Sequence, residues 1–134
     1  IHAKPNPSDT LDRLLEQIRR DDTHIDRIMV NVGQRYFFVK TAEIMYITAQ
    51  EKYVELNTGG ETYLIRETMN RMEARLDPTQ FVRIHRSHMV NVDHIKEMQP
   101  WSHGDYIVIL HNGAELNLSR RYKDRLFGAT SCLL

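Results

Sequence analysis

The chain has 134 residues, 41% of them hydrophobic and 27% charged, and its 18 basic and 18 acidic side chains cancel. That size fits one soluble domain with a modest core, and no apolar run approaches the roughly 20 residues of a membrane-spanning helix. A single cysteine, Cys132, excludes an intramolecular disulfide and fits a reducing compartment, so a cytoplasmic location is expected. Net neutrality lends no whole-chain support to a nucleic-acid partner, although a local basic face does not require a basic chain.

Pro5 and Pro7 break regular structure at the start. Ser8 or Asp9 then caps a helix in which Leu11, Leu14, Leu15 and Ile18 recur at helical spacing. This amphipathic stripe is expected to pack on the domain or on a neighbour. It is short for a dimerising coiled coil. Arg19-Arg20-Asp21-Asp22-Thr23-His24 cancels its own charge and reads as a helix end and linker. The period then changes to that of strands. Ile28–Val32 ends at Gly33, Tyr36–Lys40 follows, and Ile44–Ala49 is a nearly continuous apolar run that reads as a buried strand. Tyr53–Asn57 and Glu61–Ile65 flank Thr58-Gly59-Gly60, a hairpin signal.

Thr68 opens a helix with Met69, Met72 and Leu76 on one face, and Asp77-Pro78 stops it. Strands are expected at Phe81–Ile84, His94–Met98 and Asp105–His111, and Asn112-Gly113 turns the chain into a fourth at Glu115–Leu118. Ser119 caps a last short helix, Arg120–Phe127. The sum is a mainly β fold of antiparallel hairpins. Residues 1–24 are read as linker and amphipathic helix, 25–128 as the domain proper and 129–134 as a tail. The chain opens on Ile1 rather than Met, so a longer parent with an upstream segment is expected.

Three polar clusters fall at strand ends. They are Gln50-Glu51-Lys52, His85-Arg86-Ser87-His88 and Ser119-Arg120-Arg121-Tyr122-Lys123. Loops on a stiff sheet are where binding residues concentrate. The second cluster belongs to a run, Phe81 to Asn91, in which an apolar strand opens into arginine, histidine and hydroxyl groups suited to phosphates and base edges. Each cluster alone reads most simply as a solvated loop. Together they gain meaning if the fold brings them to one face.

Other chemistries find less support. His85, His88 and His94 lack the companions of a zinc site, and the odd spacing of His85 and His88 points them to opposite faces of a strand. Ser87 has no GxSxG elbow, and Gly59-Gly60 is hairpin chemistry rather than a phosphate cradle. Tyr36-Phe37-Phe38 suits a stacking platform for single strands, but such a run is more often half core and half sheet surface. No catalytic residue, metal or cofactor is expected.

The stretch Phe81-x-Arg83-Ile84-His85-Arg86-Ser87-x-x-Val90-Asn91-x-x-x-Ile95 resembles the signature of the LytTR family of bacterial DNA-binding domains. Ile44-x-Tyr46-Ile47 with Tyr53-Val54-x-Leu56 resembles the family's early strands. Ile65-Arg66-Glu67-Thr68-Met69 with Leu76-Asp77 resembles its central helix, and Leu116-x-Leu118-Ser119-Arg120-Arg121-Tyr122 its closing motif. The resemblance runs in order over residues 28–127.

The resemblance implies small antiparallel β-sheets packed side by side with a short central helix. It implies loops, not a recognition helix, entering successive major grooves of double-stranded DNA. Promoter direct repeats bound by a homodimer are expected, as is an upstream sensor such as the receiver domain of a two-component response regulator. Carried over by position, Arg86 reads bases, with Arg83, His85, Ser87 and His88 supporting it or meeting phosphates. Arg121 reads a second base position, with Arg120 and Lys123 near the backbone. Gln50, Glu51 and Lys52 form the first contact loop, where Glu51 suits a cytosine amine better than a phosphate. Asn91 is read as structural, holding the strand–loop junction. The alternative is a protein-interaction or dimerisation module using the Leu11–Ile18 helix and sheet edges.

Overall fold

Alternation of buried and exposed side chains organises this protein into three antiparallel sheets, seen in a computed structural model that describes residues 24–129. Strands β1 (Arg27–Val32) and β2 (Arg35–Lys40) form a hairpin. Its turn needs a left-handed residue, which Gly33 supplies at φ 65°. β3 (Ile44–Gln50), β4 (Tyr53–Thr58), β5 (Thr62–Ile65), β6 (Phe81–His85) and β7 (His88–Asn91) make the central sheet in the order β5-β4-β3-β7-β6. β8 (Ile95–Pro100), β9 (Tyr106–Leu110) and β10 (Glu115–Leu118) form the third sheet, with β9 in the middle. The expected architecture of small sheets side by side is what the molecule has. The expected amphipathic helix at Leu11–Ile18 and the tail beyond Ala129 lie outside the described residues.

In the central sheet β3, β6 and β7 are covered on both faces, whereas β4 and β5 are covered on one. Ile44, Ile47, Leu56, Phe81 and Met89 point into one core, shared with Ile28, Val30 and Val39 of the first hairpin. Met45, Val82, Ile84 and Val90 point the other way, against Val108, Leu110, Leu116 and Leu118 of the third sheet. Double coverage is why Ile44–Ala49 is apolar nearly throughout rather than alternating. The central helix α1 (Met69–Arg75) starts where Thr68 accepts a hydrogen bond from the Arg71 N–H at 3.2 Å, and it drives Met69 and Met72 into the first core. All three residues of the Tyr36–Phe38 run are exposed: Phe37, at 39%, leans on Tyr63, while Tyr36 and Phe38 stand at 61% and 69%. The run is therefore more surface than core.

Two expectations need correction. The expected strand beginning at His94 begins instead at Ile95, because Val92–His94 is a 3-10 turn capped by Asn91. The closing helix is split: Ser119 caps a 3-10 turn over Arg120–Tyr122, which runs into α2 (Lys123–Ala129). A strand at His88–Asn91 was not foreseen, because only Met89 and Val90 are apolar in it. Both are fully buried.

Candidate nucleic-acid interface

Strand direction decides which turns are neighbours. β3 runs antiparallel to β7 with Thr48 opposite His88, and the Ala49 N–H donates to the Ser87 carbonyl at 2.8 Å. The β3–β4 turn therefore lies beside the β6–β7 turn. On the other side of β6, the Ser119 N–H donates to the Ile84 carbonyl at 2.9 Å, which fastens the β10–α2 junction next to His85 and Arg86. All three polar clusters thus occupy one edge of the molecule, in the order 50–52, 85–88, 119–123.

The β6–β7 turn is built as a rigid mount. Its tip is Arg86-Ser87, and the Ser87 N–H donates to His85 Nδ1 at 3.1 Å. Arg83 is nearly covered, its side chain only 11% exposed. Its guanidinium donates to Asn70 Oδ1 at 2.6 Å and to the Arg86 carbonyl at 2.6 Å, and pairs with Glu73 at 3.4 Å. Glu73 also holds Arg125 of α2 at 2.7 Å. Arg83 is thus a strut that fixes the turn to α1, and its donors are spent inside the protein.

Arg86, Arg120 and Arg121 behave oppositely. They are exposed, and among the described residues no hydrogen bond or ion pair holds their guanidinium groups. Arg86 and Arg121 line one open cleft of about 550 Å³, together with His85, His103, Asp105 and Ser119. Asp105 adds a negative charge to the lining, and its carboxylate accepts from the Arg120 N–H at 2.9 Å. Unspent planar donors around a cleft suit phosphate and base edges. Lys123 is held differently: its ammonium lies 5.5 Å and 5.3 Å from the ring centres of Tyr106 and Phe127. In the β3–β4 turn Gln50, Glu51 and Lys52 are all exposed, and Gln50 donates to Glu55.

His85 and His88 were expected on opposite faces. They are instead directly opposed across the hairpin, with ring centres 5.4 Å apart. The parity rule holds within one strand, and the Arg86-Ser87 turn resets it. Among the described residues no group of His, Cys, Asp or Glu is arranged to hold a metal ion. No helix among them is long and apolar enough to cross a membrane.

His88 is half-buried beside Thr48, and burial pushes its imidazole below the usual range, with the neighbouring His85 adding to the effect. The unfolded chain then binds this proton more readily than the folded one. Stability is therefore unaffected by this group above about pH 6.5 and is withdrawn by acid below it. Urea unfolding at about pH 5 and about pH 7 checks this, and His88→Gln should flatten the slope between them. A slope that survives the substitution assigns it to other groups.

Sequence reasoning missed the β8–β9 loop, Trp101–Asp105, which brings His103 and Asp105 to the cleft. The available signal was the turn-forming run Ser102-His103-Gly104-Asp105 between two strands.

A family profile described as the LytTr DNA-binding domain matches residues 34–130. The chain is 32% identical over 100 residues to the sensory transduction protein LytT of Bacillus subtilis, covering 75% of this chain and 42% of that protein. It is 37% identical over 93 residues to the transcriptional regulatory protein LytR of Staphylococcus aureus, covering 69% of this chain and 38% of that protein. The chain thus spans about two fifths of the length of these curated relatives. A solved LytTr DNA-binding domain from Bacillus cereus superposes with a TM-score of 0.72 at 25% identity, covering 78% of this chain and 96% of that one.

Proposed function

The chain belongs to the LytTr DNA-binding domain family, whose members bind DNA in transcription regulation and are not enzymes, and from that premise we propose that the three-turn edge is its DNA-reading surface. Arg86 and Arg121 reach base edges. His85, Ser87, His88, Arg120 and Lys123 lie along the backbone, with Gln50, Glu51 and Lys52 as the first contact loop, while Arg83 positions the central turn. The loops enter successive major grooves, and two copies occupy direct repeats in a promoter. The observation that carries this reading is a pair of arginines, Arg86 and Arg121, whose guanidinium groups have no partner among the described residues and which line one cleft formed by turns distant in sequence. An upstream receiver domain that promotes pairing when phosphorylated, in a cytoplasmic regulator, completes the reading. The matched relatives, which extend well beyond the aligned part, support it.

Selection of bound duplexes from a random pool at about 0.15 M salt tests this. Two short motifs recurring one or two helical turns apart establish a reader that acts as a pair. A single half-site removes the pairing and keeps the reading. No enrichment by folded protein overturns specific recognition. Lys123→Ala should weaken all sequences alike and lower the salt slope by about one unit. An unchanged slope would leave Lys123 as a packing residue for Tyr106 and Phe127.

A further inference from the structure

Trp101 is the single tryptophan of the chain and is 72% exposed. It stands in the β8–β9 loop, and that loop is fastened to the proposed reading edge. Tyr106, which follows the loop, pairs with Leu118, the last residue before Ser119. The Trp101 N–H donates to the Asp105 carbonyl at 2.9 Å, and Asp105 in turn caps Arg120. A Cβ on Gly104 would come within 3.4 Å of the Arg120 side chain, so loop and arginine segment lie in close contact. The described residues with left-handed backbone that are not glycine are Glu51 and His103, and both lie in turns of this same edge.

From these observations, and resting on the DNA-binding reading above, we infer that Trp101–Asp105 is a fourth DNA-contacting element. The Trp101 ring packs on deoxyribose of the backbone and the His103 imidazole N–H donates to a neighbouring phosphate oxygen. Covering this ring with another apolar surface would be favourable, at about 25 cal/mol per Å² taken from water. Deoxyribose presents the apolar surface that would cover it, between phosphates that the adjacent Arg120 and Arg121 attract. The contact reads no base, so it adds affinity without changing sequence preference.

The lone tryptophan makes the test direct. The whole chain is titrated with a labelled duplex of the selected sequence, following anisotropy for binding and acrylamide quenching for the exposure of Trp101. Binding with strong loss of quenching supports the contact. Binding with quenching unchanged overturns this inference and leaves the DNA-binding reading intact, whereas absence of binding overturns both. Trp101→Ala should weaken selected and scrambled duplexes alike, by about tenfold if roughly 60 Å² of ring surface leaves water on binding. Trp101→Phe should recover most of that loss. Equal affinity of wild type and Trp101→Ala, at the same salt, would also overturn the contact.

Discussion

Arg86→Ala and Arg121→Ala should each lower affinity for the selected site by about 1–3 kcal/mol and relax the preference at one base pair. The size follows from geometry. A guanidinium can give two parallel hydrogen bonds to guanine O6 and N7, and here nothing inside the described protein competes for those donors. Lysine carries the charge without the fork, so Arg86→Lys and Arg121→Lys should keep nonspecific binding and lose discrimination. The two arginines face one cleft, so the double variant is expected to deviate from the sum of the singles. Anisotropy with selected and scrambled duplexes measures all of this. If both single variants bound the selected site with full preference, the base-reading assignment would be wrong. Arg83→Ala offers a contrast. Its donors are spent on Asn70, Glu73 and the Arg86 carbonyl, so its loss should act on all sequences by loosening the turn and should also lower stability.

Asn91→Leu should destabilise the fold by about 1–3 kcal/mol, because it orphans the buried Ile44 carbonyl, while the N–H of the exposed Asp93 can turn to water. Asn91 is fully buried. Its amide donates to the Ile44 carbonyl at 2.9 Å and its carbonyl accepts from the Asp93 N–H at 3.0 Å. Leucine fills similar space and satisfies neither. The bond to Ile44 ties the end of β7 to the start of β3, the pairing that sets the reading turns side by side. DNA affinity should therefore fall together with stability. The urea midpoint should drop with little change in slope, as for a loss of stability without a change in unfolding area. A loss well under about 1 kcal/mol would show that water or a backbone shift replaces both bonds.

Much of the local structure was legible. Asn112-Gly113 and Thr58-Gly59-Gly60 marked hairpins, because a tight turn demands residues that tolerate unusual backbone. Thr68 with Met69, Met72 and Leu76 marked α1, because a cap and a one-sided apolar stripe satisfy helix ends and core together. The doubly covered β3 was legible from its unbroken apolar run. β7 escaped notice because its signal shrinks to Met89 and Val90 between polar ends. Its polar residue Asn91 can be buried because its amide donates a hydrogen bond to the Ile44 carbonyl and accepts one from the Asp93 N–H.

The candidate site divides the same way. The sequence by itself determined which side chains were available: arginines, histidines and serines at strand ends, in an order resembling one family. Tertiary structure alone decided where they stand and what they touch. Arg83 and Arg86 are three residues apart, yet one is nearly covered in a network with α1 and the other is exposed on the turn with no guanidinium partner among the described residues. His85 and His88 face each other because a turn lies between them. Gln50, Arg86 and Arg121 share an edge because β3 pairs with β7 and Ser119 bonds to Ile84. Such pairings join residues tens of positions apart. They are selected by covering both faces of β3, β6 and β7 at once, a condition that no local stretch of sequence contains.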